Sequence, residues 1–217
     1  MSAKPILFNT EMVKAILDGR KTATRRVVKP QPEVAYVNGY QRDIINRNEI
    51  AFKIMDKGGK DCYTFPPYQP GNILYVRETW HSYQKRVGKG EGRYLADFYG
   101  YKASVKNSED SNTPWKPSIH MPKEAARIWL KVTNVRVERL QDMKYADFYH
   151  EGLRDDEVRE AFFVSGFENQ ECDTMVDLFA ELWDSTVSKT DIDRYGWNAN
   201  PWVWVIEFER CEKPQEV

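Results

Sequence analysis

GRKTATRR, at residues 19–26, is the most informative stretch of this sequence. Gly19 follows a segment with an apolar helical face, and a glycine in that place ends a helix by adopting a left-handed conformation. The residues after it, KTATRRVV, are β-branched and alternating, which predicts a strand. Even and odd positions of a strand face opposite sides. Lys21 can therefore approach Thr24 only if the chain is still turning just after Gly19.

The segments on either side of this stretch predict further strands and helices. A short strand is expected at residues 5–8, followed by a helix that Asn9 or Thr10 caps. Later helices are expected after Asp142, ending at Gly152, and after Thr174. Alternating or apolar runs predict further strands near 49–55, 73–78, 127–140 and 202–209, with a hairpin near 92–101.

This pattern of elements indicates the fold class. Several short strands, few long helices and a last strand with large aromatic side chains are typical of an α+β protein built on a small mixed β-barrel. No internal repeat and no shift of composition marks a linker, so residues 1–217 are predicted to form a single domain. The irregular segments at about 31–68, 81–118 and 154–195 are predicted to be long insertions.

The distribution of charge limits the class of partner. The chain has 32 Lys and Arg residues, 33 Asp and Glu residues and a formal net charge of -1. A protein that coats nucleic acid non-specifically is usually strongly basic. Residues 20–29, however, contain five basic and no acidic side chains. One local cationic site on a neutral protein favours a small polar or anionic ligand, or a short stretch of RNA.

Several kinds of chemistry are not indicated. The three cysteines lack the spacing of a disulfide framework or a zinc site, and the histidines lack metal-ligand spacing: Cys62, Cys172, Cys211, His81, His120 and His150. There is no Gly-rich phosphate loop and no serine nucleophile elbow. We therefore expect no metal, no dinucleotide and no other cofactor. The apolar runs are too short for a signal peptide or a membrane span, which predicts a cytoplasmic protein.

Three segments hold candidate functional residues, and each has a purely structural alternative. The basic stretch at 19–26 could be an exposed strand edge that discourages aggregation. In VRETW, at residues 76–80, Trp80 could stack on a base, or it could be core with Glu78 salt-bridged to a neighbouring Arg. Glu151 is predicted at a helix C-terminus, where a carboxylate is disfavoured by roughly 0.3–1 kcal/mol, which hints at another role. The alternative for Glu151 is a frayed, solvated end.

Four blocks together resemble an ASCH-domain protein of the longer sort carried by phages and prophages. They are PILFNTEMVKAILDGRKTATRR, PGNILYVRETW, IWLKVTNVRVERLQDM with EGL after it, and NPWVWVIEFE. The resemblance covers roughly residues 5–29, 69–80, 119–153 and 196–209, and leaves the three insertions uncovered. It implies a PUA-like barrel with flanking helices and a cleft suited to RNA.

The resemblance also implies a reaction. Small members of the family are amidohydrolases that remove the acetyl group from N4-acetylcytidine, and their motif falls here on Lys21, Thr24 and Glu151 as catalytic residues. A substrate-binding role is predicted for five neighbours in the motifs: Arg25, Arg26, Arg77, Glu78 and Trp80. The partner is then RNA or a modified nucleoside. Two alternatives stay open, a metal-independent ribonuclease and a non-catalytic RNA-binding or regulatory module of phage origin.

Overall fold

A computed structural model describes residues 3–41, 51–104, 114–154 and 171–215. Within these ranges the chain is an α+β protein with mostly strands and few helices, so the predicted class is confirmed. The chain forms two compact units, each discontinuous in sequence. The first comprises residues 1–18, 72–131 and 210–217, and the second comprises residues 19–71 and 132–209.

The regular elements are short. The strands are β1 (Lys4–Leu7), β2 (Ala23–Val27), β3 (Val34–Gln41), β4 (Ala51–Met55), β5 (Asp61–Thr64), β6 (Ile73–Arg77), β7 (Trp80–Val87), β8 (Tyr94–Tyr101), β9 (Trp129–Arg139) and β10 (Trp202–Cys211). The α-helices are α1 (Thr10–Leu17), α2 (Tyr145–His150), α3 (Glu171–Thr186) and α4 (Ile192–Tyr195).

In the first unit the strand order is β1-β6-β9. Strands β1 and β6 are parallel, and β6 is antiparallel to the start of β9, with Leu74 opposite Leu130. Helix α1 begins where predicted, because the side chain of Asn9 accepts a hydrogen bond from the Met12 amide at 2.8 Å. Gly19 ends the same segment with a φ of 77°, as the sequence predicted.

Strands β7 and β8 form an antiparallel hairpin in the first unit. Its register runs from Trp80 opposite Tyr101 to Val87 opposite Tyr94. The sequence predicted a hairpin here, but only from its second strand. One face of the hairpin packs against a core cluster of Trp80, Met121, Ala125, Ala126 and Trp129.

In the second unit the order is β9-β10-β2. Strands β10 and β2 are antiparallel, and Ile206 lies opposite Thr24. Residues 202–206 of β10 are all buried, so this strand is covered on both faces. Its Val203 and Val205 pack in a cluster with residues of α2 and α3, such as Phe148 and Phe179. On the opposite face the ring of Trp204 lies 5.2 Å from that of Phe52.

A second sheet of this unit has the order β3-β4-β5. Its middle strand buries Ala51, Phe52 and Ile54. The sequence indicated only this middle strand. Strands β3 and β5 were missed because Pro, Gly and Asn interrupt the pattern between residues 30 and 70.

Two predicted helix starts are wrong. Asp142 lies in a 3-10 turn at Leu140–Asp142, and α2 begins only at Tyr145. The amide of Lys144 donates instead to Asp147 at 2.8 Å, so a carboxylate inside the first turn satisfies a free amide at that end. Helix α3 begins at Glu171, which puts Thr174 inside its first turn.

Within the described ranges the strand pairings record no closed barrel. The PUA-like barrel and the single domain therefore stay predictions. In the same ranges no helix is both long enough and apolar enough to cross a membrane.

Replacing Asn9 by Ala should lower the free energy of unfolding by about 1 kcal/mol, because the Met12 amide loses its acceptor. The Asn9→Asp variant keeps an acceptor and should unfold close to the natural protein. Urea denaturation of the three proteins measures the difference. Equal midpoints for Ala and Asn would show that the cap contributes nothing.

Candidate functional site

The centre of the candidate site is the buried carboxylate of Glu151, in the second unit. Lys21 Nζ lies 2.5 Å from Oε2, and Arg25 Nη1 donates to Oε1 at 3.0 Å. Each carboxylate oxygen therefore has a cation of its own. All three side chains are almost completely removed from water. Charges at this depth are tolerated only when they are paired and hydrogen-bonded.

The end of helix α2 brings these groups together. Gly152, with a φ of 101°, turns the chain out of the helix directly after Glu151. The last helical carbonyls accept hydrogen bonds from the segment before β2: the Thr22 amide donates to His150 at 2.9 Å, and Lys21 Nζ donates to the Glu151 carbonyl at 2.9 Å. Arg20 donates to the next carbonyl. Cationic donors are favoured at a helix C-terminus, and they offset the unfavourable position of the carboxylate.

The ionic network extends to strand β9. Arg25 donates to Glu138 Oε1 from Nε at 3.1 Å and from Nη2 at 2.7 Å, and its Nη2 lies 3.6 Å from Asp147. Arg136 in turn contacts Glu138, Asp147 and Glu207. The network thus holds Arg25 in one orientation through three carboxylates. Such a fixed guanidinium leaves Glu151 little freedom to move.

Thr24 and Arg26 lie on the opposite face of β2 from Arg25, because side chains alternate along a strand. Arg26 Nη1 donates to Thr24 Oγ1 and to the Arg25 carbonyl, both at 2.9 Å. Strand β2 begins only at Ala23. Lys21 therefore lies in the turning segment between Gly19 and the strand. The sequence predicted that Lys21 can approach Thr24 only from such a segment.

The pKa values of Glu151 and Lys21 are both lowered, which favours the charged carboxylate and disfavours the charged ammonium. Burial raises the pKa of Glu151, but Lys21 and Arg25 outweigh it and hold that pKa below the ordinary 4.5. Burial lowers the pKa of Lys21 below the ordinary 10.5; Glu151 opposes this change, and Arg26 and Arg25 add to it. Because Glu151 keeps Arg25 as a partner, Lys21 can lose its proton without stranding the carboxylate.

Arg26 interacts electrostatically with both Glu151 and Tyr68. Burial lowers the pKa of Arg26, while the charge of Glu151 and the hydroxyl of Tyr68 raise it. Burial raises the pKa of Tyr68, and Arg26 opposes that change. Tyr68 belongs to the segment predicted as the insertion at 31–68, so part of that segment borders the site.

The other three predicted residues belong to the first unit. Arg77 Nε donates to the Met121 carbonyl at 2.7 Å. Glu78 is buried and accepts two hydrogen bonds from Arg127, at 2.8 and 2.9 Å. Trp80 is 6% exposed and packs in the core of that unit. In this segment Trp80 is therefore a core residue and Glu78 is salt-bridged to Arg127, as in the structural alternative given above.

Sequence reasoning missed Arg136, Glu138, Asp147 and Tyr68 as neighbours of the site. A signal existed for two of them. Arg136 and Glu138 are charged residues that alternate with the buried Val135 and Val137 in the stretch VRVER. Charges on one face of such a strand indicate either solvent or a polar network. Nothing local identifies Asp147 or Tyr68.

No group of three or more His, Cys, Asp and Glu residues that could hold a metal ion occurs in the part of the chain that the structure describes. Comparisons of the chain with protein-family models, with curated proteins and with solved structures find no match. The structure brings Lys21, Arg25 and Glu151 into direct contact, while Thr24 contacts Arg26.

Replacing Glu151 by Ala should lower the free energy of unfolding by about 3–5 kcal/mol, because it leaves Lys21 and Arg25 buried without their common partner. The matched control is Glu11→Ala, which removes the exposed Glu11–Lys14 pair and should cost at most about 1 kcal/mol. Chemical denaturation measures both. Equal losses in the two variants would contradict a stabilising role for the buried carboxylate.

Acid should destabilise the protein partly through Glu151. Its pKa in the folded chain lies below the ordinary 4.5, so the unfolded chain binds the proton more tightly. The stability that this group contributes is complete above that ordinary value and is lost as the pH falls through the folded pKa. A Glu151→Gln variant should therefore lose less stability between neutral and acidic pH than the natural protein. Parallel losses in a pH series of urea melts would refute this.

Proposed function

We propose that this chain is an ASCH-type protein with a PUA-like barrel, and that it hydrolyses the amide of an N4-acylated cytidine or a similar modified nucleoside. The observation that carries the proposal is the buried ammonium of Lys21, paired with a carboxylate that has a second cation of its own. Such a lysine suits general-base chemistry, because its charged form is destabilised by burial while its position stays fixed.

The proton acceptor in this proposal is neutral Lys21. An ordinary lysine, with a pKa near 10.4, is neutral in roughly one molecule in 2,500 at pH 7. Burial and the two neighbouring guanidinium groups lower the pKa of Lys21 and enlarge that fraction. Arg25 supports the change, since it remains bonded to Glu151 when the charge on Lys21 is lost.

Thr24 is the nucleophile. Its hydroxyl passes a proton to Lys21 as Oγ1 bonds to the carbonyl carbon of the acyl group. Arg26, which already donates to Oγ1, stabilises the negative charge that develops at the reacting oxygen atoms. When the C–N bond breaks, the nitrogen of cytidine takes the proton from Lys21 and leaves as the free amine. Water then hydrolyses the acyl-threonine and releases the acid.

Glu151 is a positioning residue in this scheme. Its pKa is held low by Lys21 and Arg25, so it is a carboxylate at neutral pH and has no proton to give the leaving amine. Its carbonyl and carboxylate hold the amine of Lys21 in one position. Glu151 therefore does not act as a general acid in this scheme.

A nucleoside reaches these groups only after part of the unit moves. Lys21 is 2% exposed, and Thr24 is buried as well. Tyr68, which is half-buried and interacts electrostatically with Arg26, lies in a segment that borders the site, and we propose that this segment moves. A closed resting site also keeps water from the reacting atoms.

Purified protein should release acetate and cytidine from N4-acetylcytidine, and Thr24→Val should lower kcat/KM on the order of a thousandfold or more. The valine has nearly the same shape and lacks the hydroxyl. The rate of the natural protein should rise with pH through the pKa of Lys21, which lies below 10.5. Product is measured by chromatography over a pH series.

Two variants control for folding. Thr24→Ser keeps the hydroxyl and should retain most of the activity, and Lys21→Met removes the amine but keeps the length of the side chain. Circular dichroism confirms that each is folded. Full activity in a folded Lys21→Met variant would contradict the role of Lys21 as the proton acceptor. Shortening of RNA by the natural protein in the presence of a chelator would assign the site to ribonuclease action instead.

A further inference from the structure

One face of the β7–β8 hairpin carries a row of aromatic rings. His81 stacks on Tyr83, with centroids 5.4 Å apart and planes at 27°, and Tyr83 stacks on Phe98 at 5.8 Å and 25°. Trp115 extends the row beyond His81, at 4.6 Å. All four residues belong to the first unit and, by sequence, to the insertion at 81–118, outside the segments that carry the family resemblance.

The register of the hairpin fixes this row. Tyr83 lies directly opposite Phe98, and His81 lies opposite Gly100. A Cβ atom on Gly100 would stand 1.9 Å from Nε2 of His81, so the imidazole occupies the space that any other residue would fill. The glycine thus lets the imidazole lie close against the sheet. The row is set by the backbone and does not depend on loosely held side chains.

The two faces of the hairpin differ in exposure. Trp80, Tyr99 and Tyr101 lie on the face that packs on the core of the first unit. On the opposite face Tyr83 is 40% exposed, and Tyr94, farther along the same face, is 64% exposed. Aromatic side chains at this exposure gain little from folding. Their exposure indicates a role other than core packing.

The charge of the hairpin complements a polyanion. Residues 80–104 contain five Lys and Arg residues against two Asp and Glu residues, in a chain with a net charge of -1. Lys85 follows Tyr83 on the ring-bearing face and is exposed. Lys89 and Arg93, in the connection between the two strands, add further positive charge near the turn. Phosphates that run past the rings would meet these cations.

His81 provides a second, independent indication. Its side chain is 4% exposed, and its Nδ1 has no hydrogen-bond partner among the described residues. A buried polar atom without a partner is costly, and a bound ligand is one way to satisfy it. The atom lies at the centre of the ring row, between Tyr83 and Trp115.

We infer that this face of the hairpin binds single-stranded nucleic acid, by stacking unpaired bases on the rings of Tyr83 and Phe98 while Lys85 contacts phosphate. Rings on an open sheet face suit bases that are free of a duplex, since only those present their own faces. Stacking is tolerant of base identity, so little sequence preference is expected. The inference stands apart from the proposed hydrolysis, because the two use different residues.

The test measures binding of a short fluorescein-labelled oligouridylate by fluorescence anisotropy. Tyr83→Ala and Phe98→Ala should each weaken binding by roughly five- to a hundredfold, as expected for the loss of one stacking partner. Tyr83→Phe keeps the ring and should bind like the natural protein. Tyr63→Ala is the matched control, because it removes a tyrosine of similar exposure from β5 and should change nothing.

The salt dependence of binding tests the contact with phosphate, and other oligonucleotides test the preference for a single strand. Lys85→Ala should reduce the slope of log affinity against log salt by about 0.7, the value for one phosphate of a single strand. The matching oligodeoxythymidylate distinguishes RNA from DNA as the source of the strand, and binding of either supports the inference. Equal or tighter binding of a duplex of the same length would overturn it, because charge alone would then explain the affinity.

Two further outcomes would overturn the inference. One is undiminished binding by both ring variants, with their folding confirmed by circular dichroism. The other is a concentration-dependent dimer in sedimentation experiments that Tyr83→Ala abolishes, since the ring face would then be an interface between two copies of the chain. Lost hydrolytic activity with intact binding would count against the proposed reaction only.

Discussion

The buried carboxylate of Glu151 between Lys21 and Arg25 is the interaction on which the second unit depends. Taking three charges out of water costs several kcal/mol for each, and this cost is offset only by good geometry and complete hydrogen bonding. Both oxygens of Glu151 have a cationic donor, and Arg25 has further partners in Glu138 and Asp147. The network therefore ties β2, β9 and the end of α2 into one arrangement.

In the proposed reaction, the same network that stabilises the fold also makes Lys21 a proton acceptor. With a single cation, Glu151 would force Lys21 to stay charged. With Arg25 as a second partner, the carboxylate keeps a cationic donor in either protonation state of the lysine, and burial lowers the pKa of Lys21. Arg26 adds to this effect and also holds the hydroxyl of Thr24. Preorganised charge of this kind is what catalysis requires and what folding alone does not.

The first unit uses its charged and aromatic groups differently. Glu78 is closed off by a two-point contact with Arg127, whose guanidinium also lies 4.1 Å over the ring of Tyr101. Both carboxylate oxygens of Glu78 therefore accept a hydrogen bond from Arg127. The rings of Tyr83 and Phe98 differ, because they are partly exposed and stack on each other. One unit thus offers a buried ionic site and the other an open aromatic face.

The sequence by itself determined local features: a helix cap at Asn9 or Thr10, the left-handed Gly19, strand β2 after it, the second strand of the hairpin and the last strand. These follow from capping, backbone freedom and alternation, which act over a few residues. The family resemblance groups Lys21 with Glu151, 130 positions later, whereas tertiary structure alone decided that Arg136 and Glu138 join them and that Trp80 is core. Side-chain convergence of that kind depends on packing between distant elements, and no local pattern records it.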